Sequence, residues 1–434
     1  IVKFLLWQRG GFKVLLSGPP ELVAQIKAVY APGGSRAFDA EFFCKVYEVK
    51  KFQVLALDKS KMPKAFEPSK AIGRHLGGCR IGFDAGGSDR KVAAVIDGKE
   101  VFVTETVWEP KVRADWRYHF DGIDESIAQA ARHLPRIDAI GVSSAGVYVD
   151  NRVMVASLFR KVQNEQPAEF EKHIKNIYLD IAKKWGDVPI EVANDGDVTA
   201  LAGAMSLEDT AVLGLAMGTS QAAGYVDIHG HITGWLNELA FAPVDYAASA
   251  PHDSEWSGDR GTGVNYFSQD AVIRLAPKLG VEFSPKDSPG AKLKHVQTLL
   301  KNGDKRMAAI FETIGVWLGY AILQYAEFYK LRHVLILGRV TSGAGGEAIL
   351  AKARQVLAAE DPVLARQISV NLPDEASRRV GQAIAAASLP EVKKIVFKKK
   401  AKKKVEKKAP KKTGKAISKP KPKAKATPKK RRAS

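Results

Sequence analysis

Residues 80–104, RIGFDAGGSDRKVAAVIDGKEVFVT, decide the predicted fold. The pattern predicts a strand ending at Arg80–Phe83, a glycine turn over Asp84–Ser88, and two more strands joined by a hairpin turn at Asp97-Gly98. Glycines in such a turn leave backbone N–H groups bare, which is a usual way to hold a phosphate chain. An acidic residue at the strand end, here Asp84, is a natural ligand for hydrated Mg²⁺. The stretch therefore favours a phosphate loop, and an ordinary glycine-containing β-turn is the alternative.

A second stretch repeats this pattern later in the chain. Val212–Ser220 is an apolar strand that ends in a turn of small residues. Ala222–Ile228 and His231–Thr233 then predict a second hairpin around His229-Gly230. Two such units in one chain indicate two homologous lobes, each directing a phosphate loop into a shared cleft.

Strands alternate with helices in the rest of the chain, which is typical of a largely parallel sheet. Asp84, Ser144 and Asp195 all lie at predicted strand ends, and ligands bind in such sheets at the carboxyl ends of the strands. The predicted strands outside the two units are Ile137–Val142, Pro189–Val192 and His333–Leu337. Apolar periodicity predicts helices over Asp121–Leu134, Phe170–Trp185, Met307–Phe328, Glu347–Ala358 and Glu375–Ala387.

The predicted domain division is an N-terminal extension of uncertain fold over residues 1–78, a first lobe over 79–205, a second lobe over 206–390, and a tail over 391–434. Inside the extension, the sequence predicts pairing strands at Val2–Trp7 and Phe12–Leu16, a helix at Glu21–Tyr30, and one or two strands within Phe42–Leu57.

The positive charge of the chain is concentrated in the tail. Residues 391–434 contain 21 Lys and Arg against 2 Glu, which leaves 46 basic and 45 acidic residues in the rest of the chain. From Lys398 on, the tail is mostly Lys, Ala and Pro, so we expect it to be disordered. This part of the tail, from Lys398 on, can neutralise phosphates but has no aromatic residue to stack on bases. We therefore expect it to bind nucleic acid or another polyanion without sequence preference, the alternative being a solvated tail with no partner.

Cysteine content and hydropathy limit the class of protein. Cys44 and Cys79 form no C-x-x-C motif and cannot provide a four-ligand zinc site, so we expect no zinc and a reduced, cytoplasmic setting. We also expect no membrane segment, because no apolar run approaches the ~20 residues that span a bilayer.

The motifs, taken together and in order, resemble those of the ROK sugar kinases (repressors, open reading frames, kinases) in the actin-like ATPase superfamily. Asp84–Ser88 matches the D-x-G-G-T phosphate loop of that family, and Gly218–Ser220 matches its second loop. Val192–Asp195 matches the V-x-N-D motif, and Ile336–Val340 with Gly343–Gly346 resembles the adenosine-side loop.

The resemblance spans residues 79–390 and implies a fold and an activity. The implied fold is α/β and two-lobed, actin-like (ribonuclease H-like), with duplicated mixed sheets flanked by helices and an ATP cleft between the lobes. The implied activity is transfer of the γ-phosphate of ATP to a hydroxyl of a hexose, an amino sugar or a related polyol. ATP and Mg²⁺ are the expected cofactors, a sugar is the expected substrate, and a homodimer is the expected assembly.

The resemblance also implies a role for individual residues. Asp195 would be the catalytic base, although an Asn-Asp turn that caps the following helix is the structural alternative. Asp84 would hold Mg²⁺ through water. The implied ATP- and phosphate-binding residues are Asp84, Gly86, Gly87, Ser88, Lys91, Gly218, Thr219, Ser220, Gly338, Gly343, Gly345 and Gly346. The implied sugar-binding residues are Asn194, Glu238, Ser144 and Gly146.

The chain departs from the family pattern on both sides of this site. Asp89 replaces the lysine that often follows the first loop, and Lys91 comes two residues later. The resulting D-x-G-G-S-x-x-K also resembles BadF/BcrA-type ATPases and the N-acetylglucosamine kinases grouped with them. On the sugar side, Phe241 takes the place of a histidine, and the family's zinc signature is absent. The alternatives to a kinase are therefore a sugar- or nucleotide-sensing regulator associated with DNA, or a BadF/BcrA-like ATPase.

Overall fold

Two β-sheets, each containing one of the two glycine-turn units, form the centre of the fold. The computed structural model describes residues 1–65, 72–252, 257–372 and 375–392, so the predicted tail from residue 393 on lies outside the described residues. In chain order the helices and strands are α1 (Val2–Arg9), β1 (Lys13–Leu16), α2 (Pro20–Val29), α3 (Ala37–Val46), β2 (Gln53–Ala56), β3 (Cys79–Ala85), β4 (Asp89–Ile96), β5 (Lys99–Val107), α4 (Trp116–Ala131), β6 (Ala139–Ser144), β7 (Val147–Val149), β8 (Arg152–Val155), α5 (Arg160–Glu165), α6 (Pro167–Glu169), α7 (Ile177–Lys184), β9 (Ile190–Asn194), α8 (Asp195–Ser206), β10 (Val212–Met217), β11 (Gln221–Val226), α9 (Gln269–Leu275), α10 (Pro289–Lys301), α11 (Ala308–Ala326), β12 (His333–Leu337), α12 (Ala344–Glu360), α13 (Pro362–Gln367), β13 (Ser369–Asn371) and α14 (Glu375–Ala387).

The first sheet has the strand order β5-β4-β3-β6-β9. β4 is antiparallel to β3 and β5, whereas β6 and β9 continue the sheet in parallel with β3. The predicted hairpin is confirmed, and both residues of Asp97-Gly98 have the positive φ that a two-residue turn needs. Asp84 pairs with Ser143, and Ser144 pairs with Asn194. The carboxyl ends of three parallel strands therefore bring the predicted site residues together.

The second sheet has the order β11-β10-β12-β13, with β11 antiparallel to β10 and the other strands parallel to it. The predicted strand at His231–Thr233 is wrong, because Ile232 forms only isolated bridges, one of them to Val226. The loop that follows is drawn to the N-terminal residues instead, where Asn237 donates its backbone N–H to Gln8 O. The second unit thus repeats only the first two strands of the first unit: β10 and β11 correspond to β3 and β4, and no strand in the described part of the chain corresponds to β5.

The closing helix α14 packs on β3, β4 and β6, although the sequence assigns it to the second lobe. Gly82 and Gly141 permit this close approach, because a Cβ at these positions would lie 1.8 Å from Ala383 O and 1.6 Å from Ala386 O. Helix α8 contacts α14 as well as β10 and β11. α8 therefore connects the two sheets.

The predicted helices over Asp121–Leu134, Met307–Phe328, Glu347–Ala358 and Glu375–Ala387 are confirmed as α4, α11, α12 and α14, with shifted ends. The predicted helix over Phe170–Trp185 is divided, because a π-helical turn at Phe170–Ile174 precedes α7. Lys175 N–H bonds to Phe170 O, five residues back. This wider turn keeps both Phe170 and Ile174 buried at the start of the segment.

Helix α11 belongs to the core, as its apolar face predicts. The expectation that no apolar segment approaches membrane length is wrong for one helix, because Lys305–Ala326 could cross a membrane by length and composition alone. Half of its most apolar window (50%) is buried inside the protein. Ile314 and Leu318 are fully buried, and the helix packs along α12.

The N-terminal segment, residues 1–57, differs from its sequence prediction. Val2–Trp7 lies in helix α1 rather than in a strand, and most of Phe42–Leu57 is the end of α3 and a loop before β2. The helix predicted at Glu21–Tyr30 is confirmed as α2. β1 and β2 pair in parallel as a separate two-stranded sheet. Phe4 and Trp7 are fully buried in the same apolar cluster as the second sheet. A short apolar run can form either a strand or a helix, and here burial on several sides favours the helix.

Candidate active site

The first glycine turn joins β3 to β4 and is held in place by Trp108. Trp108 Nε1 donates to Gly86 O (2.8 Å), and its backbone N–H donates to Ser88 O (3.1 Å). A Cβ on Gly86 would lie 2.6 Å from Asp89 O, so the close turn needs a glycine there. The predicted phosphate loop is therefore fixed by the residue that follows β5.

Asp84 is a buried carboxylate at the end of β3. Ser143 Oγ donates to Asp84 Oδ1 (2.8 Å), and Gln382 Nε2 of α14 donates to the same oxygen (3.3 Å). No described residue donates a hydrogen bond to Asp84 Oδ2. Burial raises the pKa of Asp84 to about 6, against the bond from Ser143 and the charge of Lys91. A carboxylate oxygen without a donor is the hard ligand that Mg²⁺ prefers, so Asp84 fits the predicted magnesium role.

Lys91 is engaged by Asp89, the residue that departs from the family pattern. Lys91 Nζ donates to Asp89 Oδ1 (2.7 Å), and Ser88 Oγ donates to Asp89 Oδ2 (3.0 Å). Burial on its own would lower the pKa of Lys91, but the bond to Asp89 and the charge of Asp84 raise it overall. Two predicted phosphate-binding side chains, Ser88 and Lys91, are thus bound to one carboxylate.

A second lysine, Lys111, lies over the phosphate loop. Its side chain is exposed, and a Cβ on Gly87 would lie 2.9 Å from Lys111 Nζ. The charge of Lys111 also acts on Asp195, where it opposes the rise in pKa that burial causes. Sequence reasoning missed Lys111 because it follows the hairpin in a segment without a motif.

Asn194 and Asp195 lie where β9 passes into α8. Asn194 caps the helix: its Oδ1 accepts from Gly196 N (2.8 Å), and its Nδ2 donates to Gly146 O (2.8 Å). Asp195 Oδ1 also accepts from Gly196 N (3.0 Å). Burial raises the pKa of Asp195, against these backbone amides and Lys111. The capping alternative therefore holds for Asn194, while Asp195 has the raised proton affinity that suits a general base.

Two further carboxylates lie near Asp195. Asp197 is buried, and its Oδ1 accepts from Tyr225 N (3.0 Å) and from Asn237 Nδ2 (2.9 Å). Burial raises the pKa of Asp197 to about 7, and the charge of Asp195 adds to the rise. Burial, followed by the charges of Asp195 and Asp197, raises the pKa of Glu238 to about 7. Glu238 belongs to residues 234–241, here named the Glu238 loop. Asp197 was missed because its sequence context matches only a helix start.

A cavity of about 350 Å³ contacts the start of α8 at Asn194 and Asp197. Gly146, another predicted sugar-binding residue, also lines it. Aromatic rings complete the wall, contributed by Tyr47, Tyr148 and Trp235. A small concave site with a few polar groups and apolar walls suits a small-molecule ligand. We name it the α8-start cavity.

Two predicted sugar-binding residues lie outside this lining. Ser144 is fully buried, and its Oγ accepts from Tyr178 Oη (3.0 Å). Glu238 is half-buried in its loop. Ser144 therefore contributes to packing below the cavity, and a direct role of either residue toward a ligand stays a prediction.

A larger cavity, of about 770 Å³, contacts the middle and end of α8. Gly338 and Arg339 of the predicted adenosine-side loop line it, and so does Gln382, which bonds to Asp84. Arg339 Nη2 donates to Thr219 Oγ1 (2.6 Å) and so links this loop to the second glycine turn. We name it the α8-end cavity. Of the predicted nucleotide-binding residues, Gly338 lines this cavity directly, whereas Asp84 and Thr219 are bonded to two residues that line it, Gln382 and Arg339.

The remaining glycines of the adenosine-side loop are packed against protein. Gly343 has a φ of 63° and precedes α12. A Cβ on Gly345 would lie 2.7 Å from the Phe311 ring, and a Cβ on Gly346 would lie 2.0 Å from Thr341 O. Packing alone thus explains Gly345 and Gly346, and their contact with a nucleotide stays a prediction.

A third cavity, of about 860 Å³, lies at the opposite ends of the second-sheet strands, near His333 and Ser369. Arg332, Arg354 and Arg366 line it, and none of the predicted site residues does. Parallel sheets bind ligands at the carboxyl ends of their strands, so this cavity is not the favoured site despite its size.

Metal ligands of the zinc type are not clustered in the part of the chain that the structure describes. No group of three or more His, Cys, Asp and Glu residues there is placed to hold a metal ion. Water-mediated binding of Mg²⁺ by Asp84 with a nucleotide does not need such a group.

No protein-family model matches the chain, and no curated protein sequence matches it. Solved structures do match in fold. The ROK hexokinase of Thermus thermophilus has 17% identity and a TM-score of 0.54, covering 72% of this chain and 97% of that chain. A ROK family transcriptional regulator, a homolog of the E. coli MLC protein, has 18% identity and a TM-score of 0.56, covering 72% and 79%. A ROK family protein from Streptococcus pneumoniae in complex with sucrose has 11% identity and a TM-score of 0.53, covering 71% and 97%. Identities this low establish the fold alone: the chain has the two-lobed, actin-like α/β fold of the ROK sugar kinases.

Proposed function

We propose that this protein is a kinase that transfers the γ-phosphate of ATP to a hydroxyl of a sugar. The observation that supports this most directly is the position of Asp195 at the first turn of α8. Residues on either side of it, Asn194 and Asp197, line the α8-start cavity, whereas Thr199 and Gly203 further along the same helix line the α8-end cavity. Asp195 lies in neither lining, but its charge acts on Asp197, which lines the α8-start cavity, and on Asp84, whose partner Gln382 lines the α8-end cavity. This supports a general base that takes a proton from a ligand in one cavity as that ligand reacts with a second one in the other.

The proposed reaction assigns one ligand to each cavity. The sugar occupies the α8-start cavity, and the nucleotide occupies the α8-end cavity with its phosphates toward Gly86, Gly87 and Thr219. Asp195 accepts the proton of the attacking hydroxyl, the hydroxyl oxygen bonds to the γ-phosphorus, and the bond from that phosphorus to the leaving oxygen of ADP breaks. Lys111, above Gly87, faces the phosphate negative charge. When bound, Mg²⁺ would neutralise charge on the phosphates, and Asp84 would hold it through water.

The test is an ADP-release assay with Mg²⁺ over a panel of hexoses, amino sugars and polyols. We expect sugar-dependent ADP release, and we expect Asp195→Asn to lower kcat by ~10²–10⁴ because an amide cannot accept the proton. The variant should still bind ATP, which equilibrium titration measures. Wild-type protein that binds ATP and sugar without releasing ADP would rule out this function, and an Asp195→Asn variant with full turnover would rule out Asp195 as the base.

The second candidate is a regulator that senses a sugar or a nucleotide. A ROK transcriptional regulator shares the fold, and this chain has Phe241 in place of a histidine of the sugar motif. The basic residues 391–434 would then contact nucleic acid, with affinity that falls steeply with salt. Sugar binding without turnover, together with salt-sensitive DNA binding that sugar alters, would favour this candidate over the kinase.

A further inference from the structure

The last turn of α1 is bonded to the Glu238 loop. Asn237 donates its backbone N–H to Gln8 O (2.9 Å), and Glu238 donates its backbone N–H to Trp7 O (3.0 Å). Carbonyl groups in the last turn of a helix have no partner within the helix, so they are available to accept these bonds. The position of the Glu238 backbone is therefore set by the first residues of the chain.

Buried side chains of α1 also stabilise the contact with the Glu238 loop. Trp7 is fully buried, and its ring stacks on Phe241 with 4.3 Å between centroids. Phe241 is the residue that replaces the family's histidine. Gln8 is also fully buried, and its Nε2 donates to Phe328 O just beyond α11 (3.0 Å). The change at position 241 is thus matched by an aromatic partner from the N-terminal segment.

The other end of the N-terminal segment reaches the β7–β8 hairpin. Val46, at the end of α3, packs with Val147 and Met154. Glu48 follows and forms ion pairs with Arg152 (2.5 Å) and Lys175 (2.6 Å). Residues 1–57 therefore contact both the Glu238 loop and the hairpin beside Gly146.

Val46 and Tyr47 themselves line the α8-start cavity together with Asn194 and Trp235. The Tyr47 hydroxyl lies against Gly10, where a Cβ would be 1.9 Å from Oη, so its ring has little room to move away. Trp235 is held as well, because the Arg9 guanidinium lies 4.1 Å from its ring centroid. Two of the three aromatic walls thus depend on the N-terminal segment.

We infer that the N-terminal segment is a wall of the sugar site, and that Tyr47 is a specificity-determining residue that limits the size of the sugar. The inference rests on the proposed function, since it takes the α8-start cavity as the sugar site. A ring fixed at this position excludes bulky substituents and presents an apolar face to the sugar ring. The segment is accordingly part of the binding site and not a separate domain.

The experiment measures sugar binding without ATP, by calorimetry with glucose, N-acetylglucosamine and sucrose as probes of increasing size. The variants are Tyr47→Leu and, as a matched control, Tyr30→Leu. Tyr30 is buried in the same segment and stacks on Phe52, away from the cavity. Thermal unfolding of both variants reports the packing loss that they share.

We expect Tyr47→Leu to change the ratio of affinities between the smallest and the larger sugars by roughly ten-fold or more in favour of the larger ones. Tyr47→Phe, which retains the ring, should show a smaller change than Tyr47→Leu. Tyr30→Leu should lower the unfolding temperature while keeping the wild-type ratio. If Tyr47→Leu and Tyr30→Leu alter the three affinities by the same factor, Tyr47 has only a structural role and the inference fails. If the affinity ratios change as expected but the protein releases no ADP with any sugar, the kinase proposal fails and the role of Tyr47 in the binding site is retained.

Discussion

The two cavities that contact α8 are built in different ways. The α8-end cavity is lined mostly by regular elements and their ends: α8 itself, the carboxyl ends of β12 and β13 with the residues that follow them, such as Gly338, and Gln382 of α14. The α8-start cavity is assembled from segments far apart in the chain, among them Tyr47, Tyr148 and Trp235. Short motifs can therefore predict the part of a site that lies at strand ends, whereas a wall built from distant segments is found only once the chain is folded.

The strongest test of this division concerns the phosphate loop. Lys111→Met should lower kcat by ~10²-fold, because one positive charge beside the developing phosphate charge is worth about that much. Lys91→Met should have a much smaller effect, since Lys91 is already paired with Asp89. Steady-state kinetics of both variants measure the difference. If Lys91→Met lowers kcat more than Lys111→Met does, the phosphate-binding lysine is Lys91, as the motif predicts.

A second test asks whether the two cavities hold separate ligands. Asp84→Asn keeps the acceptor for Ser143 but removes the charge that would hold Mg²⁺, so MgATP affinity should fall by ~10–100-fold. Sugar affinity measured without nucleotide should be retained. Titration of each ligand alone gives both numbers, and an equal loss on the two sides would contradict the assignment of one ligand to each cavity.

The smallest expected effect is on stability. Asp197 has an ordinary pKa of 3.8, and burial raises it to about 7 in the fold. Its charge therefore costs stability increasingly as pH rises from about 4 to 7, with a constant cost above that. Asp197→Asn keeps an oxygen for the Tyr225 and Asn237 donors and should be more stable than wild type at pH 8 by on the order of 1–3 kcal/mol, and by less at pH 5.

Denaturant unfolding at pH 5 and pH 8 measures the difference in free energy of unfolding between Asp197→Asn and wild type. Asp209 provides a control, because its pKa is shifted in the opposite direction. The bond from His333 and further bonds from Thr210 and Arg332 lower the pKa of Asp209. Asp209→Asn should therefore destabilise the protein at neutral pH, whereas Asp197→Asn should stabilise it. A variant at position 197 that is less stable than wild type at pH 8 would show that the carboxylate charge is required there.

Much of the first sheet could be predicted from sequence because its signals are local. The Asp97-Gly98 turn, the glycines after Asp84, and the polar pair at Asn194-Asp195 each lie within a few residues of the strand that they end or join. The parallel order of strands then brings these ends together. The order of motifs thus sufficed to predict the fold and to place Asp84, Asn194 and Asp195 in one region.

The rest depends on contacts that no short pattern encodes. Lys111 reaches Gly87 only after the β4–β5 hairpin has folded back, and Gln382 reaches Asp84 only through α14. The helix at Val2–Arg9 is chosen by burial of Phe4 and Trp7 and not by its own periodicity. Tertiary packing overrides local preference at such short apolar runs.

The packing of α14 on the first sheet has a consequence for biosynthesis. Ala383 and Ala387 cover Ala93 and Val95 of β4, and Arg80 near the start of β3 donates to Pro390 O (2.8 Å). A ribosome that has just released β3 to β9 has not yet made the helix that covers them. The sheet that holds Asp84 therefore cannot complete its packing until α14 has been synthesised. Its apolar face remains uncovered during the synthesis of about half the protein. Contacts this distant in sequence slow folding, so we expect the nascent chain to depend on chaperones during that interval.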